Sequence, residues 1–389
     1  MKKSIFLSAI AAMMAVVACN KNVDTVNNTI DNAIDEPTGN IRIRVGMALQ
    51  EETKAPLAEV KDAAINSLQV FVFNGNNVAS GILETDVFKD GLMATASTSM
   101  TINVKTGEKT VYALVNHPRL YPTAGVTTMQ AFENALTDLK YNKPGSLVMS
   151  GKNVINVVDY NNMGTPGTAQ ELGIYVKRLS AMISLENVTV DFRDNALKGA
   201  TFQVKEIYLK NILGRAPQGV DGLTATAGST AAPLKIASAD LQTPGNWYNP
   251  KVRTANTDID AIVYDNCGID CTVEGVVTPM KRNLFAYPNP VAGDQTIATW
   301  DNAGRHTRLI IHAVVNKNAD GVTMTNKDTY YVLTLPALVA NTVYSIQGVK
   351  ITQLGKDDDN NDELTDVGKV DVTVNVDNWL PTVVLNYEY

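Results

Sequence analysis

Few residues in this chain are equipped for chemistry. Cys267 and Cys271 stand in a Cys-Gly-Ile-Asp-Cys run, and the only other cysteine is Cys19. A zinc site would need a second Cys/His pair close by, and none flanks this run. In an oxidising compartment Cys267 and Cys271 are expected to form a disulfide in a polar loop, with free thiols or a bound metal as the other states. His117, His306 and His312 are scattered; His312 lies in an apolar strand and reads as a core or interface histidine. No serine occupies a Gly-x-Ser-x-Gly turn. The run Asp357 to Glu363 begins like a calcium loop, but Asp362 stands where Gly is needed and Gly368 where the bidentate Glu should be. A solvated hairpin loop between 349–354 and 369–376 is expected instead. Trp247 and Trp300 could stack on a sugar, yet no two carboxylates stand out as an acid/base couple. The expectation is a non-enzymatic protein with no cofactor and no metal.

Composition points the same way. The 389 residues carry 33 Lys+Arg against 40 Asp+Glu, a formal charge of −7, which disfavours a nucleic-acid surface. Apolar residues make up 45%, enough for a sizeable core. At roughly 100–200 residues per domain the length predicts two domains.

Residues 1–18 read as a secretory signal peptide: Lys2 and Lys3, then an apolar stretch from Ser4 to Ala18. That stretch is short of the ~20 residues a spanning helix needs. It ends Val16-Val17-Ala18-Cys19, similar to a bacterial lipobox with Val16 in place of the usual Leu. Cys19 is therefore expected to be lipidated and to become the first residue after export. Residues 20–39, rich in Asn and Asp, read as a flexible tether.

The elements behind these residues are strands. Period-2 alternation dominates from residue 41 onward, in Ile41–Leu49, Leu68–Val72, Met100–Val104 and Val111–Val115, and again after 176. The second series is Met182–Val190, Phe202–Leu209, Ala261–Tyr264, Leu309–Val315, Tyr330–Leu335, Val343–Ile351 and Val370–Val376. Gly348 marks a change of parity and predicts a β-bulge. One helix is expected, with Thr127 and Gln130 as a capping box and Met129, Phe132, Leu136 and Leu139 at helical spacing. Segments 210–260 and 265–305 read as surface loops. The predicted fold is mainly β: two antiparallel β-sandwich domains with a minor helix in the first. The expected boundaries are 1–18 leader, 19–54 tether and first strand, 55–176 N-terminal sandwich, and 177–389 C-terminal sandwich.

The end strands are the most informative. Ile41, Ile43, Val45, Met47 and Leu49 make a five-deep apolar face with Arg42 and Arg44 opposite. Val383, Leu385, Tyr387 and Tyr389 alternate in the last strand, separated from its predecessor by Pro381. Such an edge invites pairing and would suit a joint made by strand addition.

Several stretches resemble the fimbrillins, the FimA-type subunits of Bacteroidales type V pili. They are NIRIRVGMALQEETKAPL (40–57), SLQVFVFNG (67–75), TVYALVNHP (110–118), PGSLVMSGK (144–152), YVKRLSAMISLENVTV (175–190), VYSIQGVKITQLG (343–355) and VDVTVNVDNWLP (370–381). The resemblance implies a structural shaft subunit of a cell-surface fimbria, exported as an outer-membrane lipoprotein and cut by a trypsin-like protease. The implied cut falls between Lys54 and Ala55, where relatives commonly carry Arg; Arg44 is the alternative site. It would remove Ile41–Leu49 and open a groove for Thr382–Tyr389 of the adjoining subunit. The implied partners are further copies of the chain plus anchor and tip subunits, with adhesion and biofilm as the outcome. Alternatives from the sequence are an anchor or tip subunit, or a surface glycan-binding lipoprotein.

Overall fold

The structure, a computed structural model, describes residues 38–47, 64–94, 97–119, 127–159, 169–217, 247–248, 262–271, 275–289, 306–319, 321–359, 372–374 and 382–388. The first half is built from β1 (Thr38–Met47), β2 (Leu68–Asn74), β3 (Leu83–Lys89), β4 (Ser97–Lys105), β5 (Gly107–Val115), α1 (Met129–Asn134), β6 (Leu136–Asp138), β7 (Met149–Val157) and β8 (Gln170–Arg178). Seven of these strands join in the order β3-β2-β5-β7-β8-β1-β4. The β7–β8 seam is only two residue pairs long, Met149 with Arg178 and Ser150 with Lys177. The seam divides the sheet into β3-β2-β5-β7 and β8-β1-β4, whose apolar faces share one core. Ile41, Ile43 and Val45 of β1, with Met100, Ile102, Leu172 and Ile174, then pack against Val70, Val72, Val111 and Ala113 of the facing strands.

The central strands β2 and β5 are buried on both faces, which explains their nearly unbroken apolar sequences. Their second face, with Phe71, Phe73 and Tyr112, lies under α1, whose Phe132 ring sits 4.8 Å from Phe71 and 4.6 Å from Tyr112. The helix is shorter than its sequence predicts. Thr128 rather than Thr127 caps it, accepting from Ala131 N at 3.1 Å. Ala135 is already extended, and Leu136 and Leu139 lie beyond the helix in β6 and a 3-10 turn. The cause is tertiary: residues 136–138 are taken up by a ladder with 215–217.

The second half comprises β9 (Ala181–Val190), β10 (Thr201–Lys210), β11 (Ile212–Leu213), β12 (Arg215–Pro217), β13 (Trp247–Tyr248), β14 (Tyr264–Asp270), β15 (Val277–Ala286), β16 (Arg308–Ala319), β17 (Val322–Thr334), β18 (Val343–Ile351), β19 (Val372–Val374) and β20 (Thr382–Glu388). A four-stranded sheet, β14-β10-β16-β17, faces a five-stranded one, β15-β9-β18-β20-β19. Leu185, Val188, Ile346 and Val349 of one sheet share a core with Phe202, Ile207, Ile311 and Leu333 of the other. The same core runs on to α1 and the aromatic face of β2 and β5. Polar links cross this junction as well: Asn142 Nδ2 donates to Tyr287 Oη at 3.0 Å, and that hydroxyl donates to the Asp138 carbonyl at 3.1 Å.

The mainly-β expectation holds, with differences of detail. The sheets are mixed, because β1–β8, β9–β18 and β18–β20 all pair in parallel. The segment read as a 265–305 loop contains β14 and β15. Both are edge strands, polar in sequence because only one side is paired and much of each faces water. The strand expected at Ala261–Tyr264 begins only at Tyr264, after a helical turn at Ile262 and Val263. The hairpin expected between 349–354 and 369–376 does not form: β20 lies between β18 and β19 and pairs with both. The Gly348 bulge is present, as a register shift between Ile346 and Gly348 against β20.

Candidate functional site: the groove of the first strand

Strand β1 begins in a tight passage. A Cβ on Gly39 would stand 2.5 Å from the Val158 carbonyl oxygen, so only glycine fits there. From this point β1 runs antiparallel to β4, with Ile41 opposite Ile102 and Ile43 opposite Met100. On its other side it runs parallel to β8, with Ile43 opposite Leu172 and Val45 opposite Ile174. It is thus an interior strand with both backbone edges occupied. Ile41, Ile43 and Val45 are completely buried. Three such side chains contribute about 5–9 kcal/mol of gross apolar burial.

The opposite face of β1 is solvated. Arg44 Nε donates to Glu171 Oε2 at 2.8 Å, and Arg42 Nη1 stands 3.8 Å from Glu171 Oε1. All three side chains are about half exposed or more, so these pairs fix register more than they add stability. Met47 pairs with Val176 in the β8 ladder. Of the other predicted positions, Cys19, Leu49, Lys54, Ala55 and Tyr389 lie outside the described residues.

The groove β1 fills is therefore well defined. Met100, Ile102 and Val104 line one wall, Leu172, Ile174 and Val176 the other, and Val70, Val72, Val111 and Ala113 the floor. The predicted donor lies elsewhere, in the five-stranded sheet. There Val383 pairs with Tyr344, Leu385 with Ile346 and Tyr387 with Val349. On the other side β20 is held by only three residues of β19, Val372 to Val374. The structure does not bring the first and last strands into one sheet.

Residues 38–180 match the family model of the major fimbrial subunit protein, FimA. Over this stretch the chain is similar to the FimA family. The match opens at the first residue of β1 and closes two residues beyond β8, so it spans the groove and both its walls. Solved structures agree in fold over most of the chain. A fimbrillin (FimA) from Porphyromonas gingivalis superposes with a TM-score of 0.54 at 16% identity, covering 91% of this chain and 98% of the other. A cell adhesion protein described for Bacteroides eggerthii gives 0.55 at 16%, covering 92% and 99%. One from Parabacteroides distasonis gives 0.51 at 14%, covering 90% and 100%. Among curated protein sequences none matches the chain.

Elsewhere the fimbrillin fold places the chemistry-bearing residues in structural roles. Cys267 lies within β14 and Cys271 directly follows it, and both are free thiols, so the expected disulfide is absent. Cys267 Sγ lies 3.7 Å from the Val204 and Lys205 carbonyl oxygens, and Cys271 Sγ lies 3.9 Å from that of Ile269. Burial raises both thiol pKa values, that of Cys271 to about 11. His312 stacks on Tyr330 at 4.4 Å, with Nδ1 2.8 Å from Glu206 Oε2 and Nε2 2.8 Å from Asp328 Oδ1. This cross-strand ladder ties β10, β16 and β17 together. His117 Nδ1 lies 2.7 Å from the Pro118 carbonyl oxygen, and burial lowers its pKa. Trp247 pairs with Leu213 in the small β11–β13 ladder, and Trp300 lies outside the described residues.

Of the acidic run, Asp357 to Asp359 are described, and Asp359 is drawn toward the four-stranded sheet. Asp357 pairs with Lys327, while Asp359 accepts from the buried Tyr208 hydroxyl and its backbone carbonyl accepts from Lys210 Nζ at 2.6 Å. Sequence reasoning missed Tyr208 and Lys210. The only signal available was their polarity at the end of a strand whose neighbours are apolar.

Proposed function

We propose that this fimbrial subunit builds a shaft by donor-strand exchange. The precursor is exported as a lipoprotein on Cys19, and β1 occupies its own groove so that the subunit cannot polymerise. A trypsin-like protease cuts between Lys54 and Ala55. Ile41–Leu49 then leaves, and Thr382–Tyr389 of the next subunit enters. Head-to-tail addition of this kind is heterologous and does not close, so it yields a filament. The product is a structural polymer at the cell surface rather than an enzyme.

The observation that carries this reading is the place of β1. It is the first described strand of the chain, yet it sits in the interior of a sheet with three side chains fully buried. A single cut after it detaches it from everything downstream. What remains is an apolar trench with two unpaired backbone edges, which only another strand can satisfy. The parallel β18–β20 pairing and the short β19 hold the donor until it is used.

The test is to treat purified precursor with a trypsin-like protease. The expected product starts at Ala55 and runs as a heat-sensitive ladder on SDS gels, while Lys54→Ala stays monomeric. Equal polymerisation by a chain lacking Thr382–Tyr389 would end the donor assignment. Cell-surface protein that keeps Cys19 at its N-terminus would instead indicate an anchor subunit that retains β1.

A further inference from the structure

At the end of the first sandwich three side chains meet in an arrangement that no groove function requires. Lys109 of β5 and Asn74 of β2 are directly opposed in the antiparallel ladder. The Lys109 Nζ contacts Asn74 Oδ1. Glu84, from β3, is passed over by the β2–β3 ladder, which pairs Val72 with Thr85 and then Phe73 with Leu83. Freed from the pairing, its Oε2 comes to 2.7 Å from the same Nζ. The Lys109 side chain is 3% exposed and that of Glu84 11%. Glu84 Oε1 is fixed by a 2.6 Å bond from the Lys105 backbone N–H.

An amine and a carboxyl group shielded from water, in contact with a carboxamide at the strand end, are the components of an intramolecular amide bond. We propose that Lys109 and Asn74 form an isopeptide cross-link, with Glu84 carrying the proton. At 2.7 Å, Glu84 Oε2 is placed to take one proton from the Lys109 ammonium as the amine attacks. The neutral Lys109 amine attacks Asn74 Cγ and a new C–N bond forms. Glu84 delivers its proton to the side-chain amide nitrogen, whose bond to Cγ breaks, then takes the second proton from the attacking nitrogen and passes it to the released ammonia. Counted from the ion pair, Lys–NH3+ and Asn–C(O)NH2 become the secondary amide and ammonium. Glu84 ends as it began, nothing is oxidised, and no co-reactant enters. Asn74 lies exposed at the strand end, which leaves the departing ammonia a path to solvent.

The link would join β2 to β5 beside Val72 and Val111, fixing the floor of the groove whether or not β1 is in place. It stands independently of the strand-exchange reading. Intact-mass spectrometry of the folded full chain tests it: the mass should fall about 17 Da below that of the sequence, the loss of one ammonia. Digestion should yield a branched peptide containing both Asn74 and Lys109. Glu84→Gln and Lys109→Arg should restore full mass, while Asn74→Asp should lose water instead, about 18 Da. Full sequence mass in the folded wild-type chain overturns the proposal even if every variant fails to fold. So does a deficit confined to a succinimide at Asn74-Gly75, with Lys109 recovered in an unlinked peptide.

Discussion

The Tyr208 hydroxyl donates to Asp359 Oδ2 at 2.5 Å, joining the middle of the four-stranded sheet to the segment that leaves β18. Tyr208 is fully buried, and Lys210 Nζ reaches the same aspartate through its carbonyl. This clasp precedes the stretch leading to β19 and β20. Tyr208→Phe deletes one charge-assisted bond and should cost about 1–3 kcal/mol. Urea denaturation followed by fluorescence measures it. A loss below about 0.5 kcal/mol would show that the clasp contributes little.

Tyr208 is one of four buried tyrosines whose pKa values are raised, in each case chiefly by desolvation. Those of Tyr331 and Tyr344 are pushed up to about 12. In the unfolded chain tyrosine ionises near pH ~10. A raised folded pKa means that the native state holds its proton longer. The stability involved is complete below pH ~10 and is lost as pH rises through the folded values. Urea midpoints should therefore be flat in this respect up to pH ~9.5 and fall steeply from pH ~10 to 11.5. Tyr344→Phe should flatten part of that fall.

The two faces of β1 should respond differently to substitution. Ile43→Ala empties a fully buried site between Met100 and Leu172 and should destabilise the precursor by about 2–5 kcal/mol. Glu171→Ala breaks only the exposed pairs to Arg42 and Arg44, and the change should stay within about 0.5 kcal/mol. Both are measurable by denaturant midpoints. If β1 is removed on processing, Ile43→Ala has no effect at all on protein that begins at Ala55.

Cys267 and Cys271 should both titrate as thiols without reductant, but slowly while the chain is folded. Burial is the main cause of both raised pKa values, and little thiolate exists near neutral pH. Maleimide labelling in buffer and in urea, with Cys19 counted separately, should show two additional sites reacting much faster on unfolding. Labelling that demands prior reduction would reinstate a disulfide.

Much of the architecture was legible because strand alternation is local. Ile41, Ile43 and Val45 announce one buried face with no knowledge of their neighbours, and Gly348 announces its bulge by a change of parity. Pairing is not local, and that is where reading failed. Nothing near Thr137 says that β12 will claim it and cut the helix short. The polar β14 looks like loop because an edge strand needs only one apolar face. The meetings of Lys109 with Glu84, and of Tyr208 with Asp359, join residues far apart in sequence whose types alone fit a solvated surface. The fimbrillin motifs compensated in part, since they carry the fold's pairing implicitly.

The partners of β1 also impose an order of events. Ile41 pairs with Ile102 on one side and with Gln170 on the other, so the earliest of these strands in the chain needs the latest before it can be seated. Contacts of such separation form slowly, since the intervening loop must close first. The chain emerging into its compartment thus holds an unfilled trench until β8 has arrived. Pulse-labelled hydrogen exchange during refolding should protect the β1 amides no earlier than those of β8. If subunits join by strand exchange as proposed, newly made chains are open to premature capture by a neighbour's strand during that interval, and a separate tether for each chain would limit the hazard.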